Sequence, residues 1–181
     1  MEKYKIIIEP FSEIEVSILE RLKNHLEEVF NLEIEILPVK MNLDFALDKN
    51  RNQYLASLIL DRLKDFKKNF EEKWLAIVDV DLFAKNLNFV FGEADLNYGV
   101  SIISTLRLKQ EFYSLPKDEN LFLERMKKEA THELGHLFYL EHCKNPKCVM
   151  YFSNSLLDTD NKEATFCSEC QKNLRFYLEK K

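Results

Sequence analysis

The stretch HELGHLFYLEHCKNPKCVM, His132 to Met150, decides how this chain is read. It opens with His132, Glu133 and His136 in an H-E-x-x-H arrangement. On a helix, positions i and i+4 lie one above the other, so two imidazoles at that spacing reach one metal ion from one face. Glu133 lies one residue along, placed to touch a water on the metal instead of the metal itself. His142 offers a third ligand. Cys143 and Cys148 follow, and their expected partners Cys167 and Cys170 lie further on. The first reading is a zinc hydrolase site joined directly to a second, thiolate zinc site.

The rest of the chain limits the alternatives. Its 181 residues, 46% of them hydrophobic, suffice for one ordinary core, or a core with a small appendage. Charges are mixed and the net charge is −5, which argues against a general nucleic-acid binder. The 143–181 region carries seven Lys/Arg against five Asp/Glu, too slight an excess for a zinc-ribbon nucleic-acid binder. No apolar run approaches the roughly 18 residues of a membrane span, and the start of the chain lacks the apolar region of a signal peptide. We therefore expect a cytoplasmic protein with no nucleic-acid and no membrane partner. Four cysteines clustered between 143 and 170 fit metal binding better than disulfides in a reducing compartment. Gly occurs only three times, and no glycine-rich phosphate loop and no G-x-S-x-G is present.

Ahead of the motif the pattern alternates strands and helices. Tyr4–Glu9 reads as a buried strand, 13–30 as an amphipathic helix opened by a Ser12-x-x-Glu15 capping box, and Leu32–Leu37 as a second strand. A helix over about 52–68 and a strand from Trp74 to Val80 follow. His25 reads as a surface residue of the first helix, and Asp79 and Asp81 as strand breakers more than an acid–base pair. Asn88–Phe91 and Val100–Ser104 form two more strands. Their short link makes them antiparallel neighbours, because a parallel crossover needs a dozen or more residues. As an edge strand, Asn88, Phe89, Val90 and Phe91 offer backbone groups to an extended peptide, unless a loop covers them. A helix from Asp118 to about Leu140 carries the metal motif, and a terminal helix starts near Ser168. The fold class is α+β with an α/β-like N-terminal half. The composition shifts near Tyr139, which divides the chain into 1–139 and a C-terminal subdomain 140–181.

Three neutral imidazoles preserve the charge of a zinc ion and leave it a strong Lewis acid with an open position. That assigns His132, His136 and His142 as ligands and Glu133 as general base and acid. Four thiolates, by contrast, make a closed site that accepts no substrate. Tyr151 either donates to an oxyanion or packs, and Glu129 is either a partner behind the ligands or a solvated helix residue.

The pattern His132-Glu133-x-x-His136-x5-His142 resembles the metzincin clan of metallopeptidases. With Cys143-x4-Cys148-x-Met150 and Cys167-x2-Cys170 added, it is similar to one family within it, the archaemetzincins. Arg51, Gln53 and Tyr54, the NFVFGEA of 88–94 and the STLRL of 104–108 extend the likeness over most of the chain. The resemblance implies a five-stranded mixed, twisted sheet with one antiparallel edge strand, backing helices and an active-site helix, plus a small zinc-bound subdomain. It implies two zinc ions, one catalytic on His132, His136 and His142 and one structural on Cys143, Cys148, Cys167 and Cys170. It makes Met150 the methionine of the turn beneath the catalytic zinc. It implies a protease of weak or narrow activity on peptide or protein substrates. The competing reading is a non-catalytic zinc-binding or interaction protein, against which Glu133 counts, since it is not needed to hold the metal.

One position departs from the pattern. Where metzincins have a glycine after the active-site helix, this chain has Tyr139. We expect Tyr139 to take a positive φ at a cost of roughly 1–2 kcal/mol, with His142 still a ligand. The rival is a displaced His142, with Glu141 or water in its place.

Overall fold

A computed structural model of the chain describes residues 4–38 and 40–179. The ends of the two expected subdomains, 1–3 and 180–181, lie outside the described residues. The strands are β1 (Lys5–Pro10), β2 (Ile34–Ile36), β3 (Leu47–Asp48), β4 (Gln53–Leu55), β5 (Glu72–Val78), β6 (Leu82–Phe83), β7 (Gly92–Asp95) and β8 (Val100–Ser104). The helices are α1 (Val16–Phe30), α2 (Ala56–Leu63), α3 (Glu119–Leu137), α4 (Leu156–Asn161) and α5 (Ser168–Glu179).

The main sheet has five strands in the order β2-β1-β5-β8-β7, parallel except for β7 at the edge. Near-continuous apolar runs form its central strands because both faces are covered. Ile6 and Ile8 of β1, Leu75 and Ile77 of β5 and Ile103 of β8 face α1 and α3. Ile7, Trp74, Ala76, Val78, Val100 and Ile102 face α2. A small sheet, β3-β4-β6, flanks the second face. The first core runs on without a break into Leu140, Cys148, Val149, Met150, Phe166 and Leu174.

Several local expectations change. The edge strand is Gly92–Asp95, not Asn88–Phe91; within 88–91 only Val90 makes a bridge, to Leu82 of the small sheet. The apolar run looks like a strand, but side chains hold its first carbonyl, Asn88 O, and only Phe91 O, at its end, accepts from the main sheet, from Ser104 N at 2.8 Å. The antiparallel relation to Val100–Ser104 stands. The Ser12-Glu15 capping box does not form: Glu15 is the N-cap without a side-chain bond, and Ser12 Oγ accepts from Asp79 N at 2.7 Å. His25 is half-buried on α1, its Nε2 3.2 Å from Thr131 Oγ1 of α3. Asp79 and Asp81 do follow the end of a strand, β5 stopping at Val78, and both are ion-paired, with Lys109 and Arg107, each at 2.6 Å.

Two features set the position of α3. Asp118 caps its start, accepting from Leu121 N at 2.9 Å. Arg125, whose side chain is 5% exposed, forks onto Asp160 with two 2.7 Å bonds and gives a third to Leu108 O at 2.9 Å. Removing one partner of a buried pair costs about 3–5 kcal/mol. Asp160 is 30% exposed and can rehydrate, so we expect Arg125→Met to lower stability by about 3 kcal/mol, read as a lower urea midpoint at unchanged slope.

Candidate metal centre and cleft

His132 and Glu133 are buried on α3, His136 is half-buried one turn on, and His142 is exposed beyond the helix. The helix ends in a Schellman motif built on Tyr139. Tyr139 has φ 62°, its N–H bonds His136 O at 2.9 Å, and Leu140 N–H bonds Gly135 O at 3.1 Å. The expected left-handed tyrosine is therefore present, and its ring lies 5.0 Å from that of Tyr177. The turn reverses the chain and carries His142 back: the donor nitrogens of His132, His136 and His142 all lie within 4.8 Å of one another.

The two helical imidazoles are locked. His132 Nδ1 lies 2.8 Å from Val149 O and His136 Nδ1 lies 2.8 Å from Leu140 O. A carbonyl only accepts, so each Nδ1 carries a hydrogen and each Nε2 a lone pair. Yet the two Nε2 atoms face each other at 3.1 Å. Burial drives the pKa of His132 well below its ordinary value and that of His136 down to about 4, so neither holds a proton to place between them. His142 is lowered too, by burial and then by the Lys162 charge. Two lone pairs held this close need a cation. With Zn–N bonds of about 2.0–2.1 Å, tetrahedral ligands would stand about 3.4 Å apart, close to the separation seen. The donors fit zinc.

Glu133 is packed under the edge strand. A Cβ on Gly92 would stand 2.6 Å from Glu133 Cγ, 2.7 Å from Oε1 and 2.7 Å from Ile102 O. Burial, and then the Glu129 carboxylate, push the Glu133 carboxyl well up, while Lys162 opposes them. A dication beside it would draw it down again. We expect Gly92→Ala to displace Glu133, because the Ile102 carbonyl cannot swing away. Overpacking of this kind costs about 1–3 kcal/mol, and peptide hydrolysis should fall more than zinc content, as paired rate and metal measurements would show.

Met150 is fully buried against α3, its Sδ 2.5 Å from where a Gly135 Cβ would be. It packs in the same core as Leu134 and Phe166. Glu129 is buried, not solvated: its Oε1 accepts from Thr159 Oγ1 at 3.0 Å and pairs with Lys162 Nζ at 3.2 Å. Lys162 also reaches Tyr151 O at 3.4 Å. Sequence reasoning missed Lys162 and Thr159, whose distance along the chain leaves no local signal.

The four Cys Sγ atoms also lie within 4.8 Å of one another. Cys143 and Cys167 sulfurs are 3.8 Å apart, far beyond a disulfide of about 2.05 Å and equal to the edge of a tetrahedron with Zn–S of about 2.3 Å. Backbone N–H donation, chiefly from Cys170, brings the Cys167 thiol down to about 7, while burial pushes Cys148 and Cys170 up. Three consecutive residues join the two clusters. Cys148 offers its sulfur to one, Val149 O holds His132 of the other, and Met150 O accepts from Cys143 N at 2.9 Å.

A cleft of about 220 Å³ opens beside His132 and Glu133. Asn88, Phe89, Val90 and Phe91 form one wall and Phe152, Ser153 and Asn154 another. Tyr151 is not among the lining residues; its neighbour Phe152 takes that position, 4.9 Å from the His142 ring. No helix among the described residues is long and apolar enough to cross a membrane.

The model of Peptidase family M54 matches residues 1–176. The archaemetzincin of Pyrococcus furiosus is 42% identical over 176 residues, covering 93% of this chain and 91% of that protein. The crystal structure of archaemetzincin from Methanopyrus kandleri is similar with a TM-score of 0.86 and 36% identity, over 99% of this chain and 97% of that one. A zinc-dependent peptidase from Methanocorpusculum labreanum is similar with a TM-score of 0.87 and 31% identity, over 93% and 99% of the two chains.

Proposed function

This chain belongs to peptidase family M54, the archaemetzincins, and is a zinc metallopeptidase; from that premise we propose that His132, His136 and His142 hold the catalytic zinc and that Glu133 is the general base. The observation that carries the assignment is the pair of Nε2 lone pairs facing at 3.1 Å with both Nδ1 hydrogens committed to carbonyls. Zinc, when bound, lowers the pKa of a water to about 7 and polarises a carbonyl.

The chain's own groups supply the rest. The Glu133 carboxylate accepts a proton from the attacking water and hands it to the leaving amine. Its burial keeps bulk water from competing for that proton. Val149 O and Leu140 O keep the imidazoles in the ligating tautomer and raise their basicity. An extended peptide lies along the 88–91 wall, one side chain entering the cleft. Phe152, Ser153 and Asn154 face the peptide from the other side.

A second zinc, on Cys143, Cys148, Cys167 and Cys170, is structural: it ties the 143–148 stretch to the start of α5 within segment 140–181 and closes a site no substrate enters. A reducing compartment such as the cytoplasm keeps these thiols available. Metal analysis of the purified protein tests the count. Two zinc ions per chain are expected, and one on removal of His136 by Ala; a single zinc in the wild type overturns the two-site assignment.

A further inference from the structure

The 87–91 segment has no regular structure except the Val90 bridge, yet charged and polar side chains clamp it from behind. Arg51 Nη2 donates to Leu87 O at 3.1 Å and to Asn88 O at 2.9 Å. Gln53 Nε2 donates to Asn88 O at 2.9 Å and to Asp81 Oδ2 at 3.1 Å. Asp81 in turn receives both arms of Arg107, at 2.6 and 2.7 Å. The Arg107 guanidinium then lies 4.3 Å from the centre of the Phe89 ring, with Phe112 4.9 Å from it. Phe89 meets Phe91 edge-on at 5.3 Å. Such a frame is not needed to fill the core; it holds one aromatic wall at a fixed distance from Glu133. Walls fixed before binding lose little on complex formation and discriminate by shape.

The cleft's chemistry is legible. Phe89, Val90, Phe91 and Phe152 are apolar. The carboxylate of Glu129, which also lines it, is already taken by Lys162 and Thr159, so apart from the general base Glu133 no carboxylate of the lining awaits a charged side chain. Among the described residues, Ser153 Oγ is a buried lining atom without a hydrogen-bond partner. An apolar cavity of about 150 Å³ holds benzene, so about 220 Å³ accommodates a large aliphatic or aromatic side chain.

We propose that Phe89, seated by Arg107 through Asp81, Gln53 and Arg51, is the specificity-determining wall of this peptidase, selecting a large apolar side chain next to the scissile bond. Arg51, Gln53, Asp81 and Arg107 are positioning residues and never touch substrate. The inference rests on the zinc-peptidase reading of the same site.

The test uses zinc-loaded full-length protein and N-acetyl amino acid hydroxamates, which anchor on zinc and differ only in side chain, alongside cleavage of a random hexapeptide library. The phenylalanine and leucine hydroxamates should bind at least about 10-fold more tightly than the alanine one, the discrimination expected of an apolar pocket, and the glutamate one most weakly. Phe89→Ala should cut that ratio about 10-fold, and Phe89→Trp should shift preference to smaller apolar groups. Arg107→Lys keeps the charge but loses the fork and the stack; it should relax preference and raise KM with kcat and zinc content little changed. Equal binding of all side chains, or a preference indifferent to Phe89 and Arg107, overturns the proposal. Selective binding without peptide cleavage supports it while sinking the peptidase reading. Cleavage abolished by Glu133→Gln but blind to side chain does the reverse.

Discussion

Replacing Glu133 by Gln is expected to slow peptide hydrolysis by about 10²–10⁴-fold, the usual contribution of a positioned acid–base group, with zinc content unchanged. Gln fills the same buried space under Gly92, so the packing around the side chain is kept. It cannot accept a proton. The loss should appear in kcat, because the group acts on the proton in flight and not on substrate affinity. Stability should hold or rise slightly, since burial and Glu129 already disfavour the charged carboxylate at this position. The check is steady-state kinetics on a cleaved library peptide, with metal analysis of the same samples. Cleavage equal to wild type would show that another protein in the preparation is the peptidase.

The double change Cys167→Ser, Cys170→Ser should have the largest effect on stability and reach the other metal centre as well. Two thiolates removed leave Cys143 and Cys148 unable to close a tetrahedron. A ligand held at a thousandfold its Kd contributes about 4 kcal/mol, which for a chain of this size is about 8–16 °C in Tm. The second effect runs through the strip Cys148–Met150. Once Cys148 is released, Val149 O no longer fixes the His132 ring and Met150 O no longer fixes Cys143, the residue after His142. Zinc should therefore fall below one ion per chain after mild chelation, where the wild type keeps two. A variant that retains its histidine-bound zinc at wild-type affinity and melts within a few degrees of wild type would show the centres to be independent.

Much of the centre was legible because its donors lie close in the chain and follow helical geometry. The H-E-x-x-H spacing, the return to His142 and the left-handed Tyr139 all obey local rules. The parallel core was legible for a related reason: strands buried on both faces read as apolar runs. What failed depended on distant partners. Phe89 to Phe91 looks like a strand, but the sheet takes Gly92–Asp95 instead. Only a residue without Cβ fits over Glu133, and Arg51 and Gln53 claim the carbonyls ahead of it. Ser12 has the spacing of a cap, and the backbone of Asp79, brought alongside by the sheet, takes its hydroxyl. The Glu129–Lys162 pair joins residues with no shared motif.

The two carbonyl clamps on the imidazoles bear on transplanting this centre. The helix alone, copied onto another scaffold, would carry His132, Glu133 and His136 at the right rise but with rings free to rotate and to change tautomer. The acceptors that stop them, Val149 O and Leu140 O, come from outside the helix. The smallest portable unit is therefore helix, reversing turn and cysteine cluster together, residues 119–170, carried as one block with its own means of holding shape.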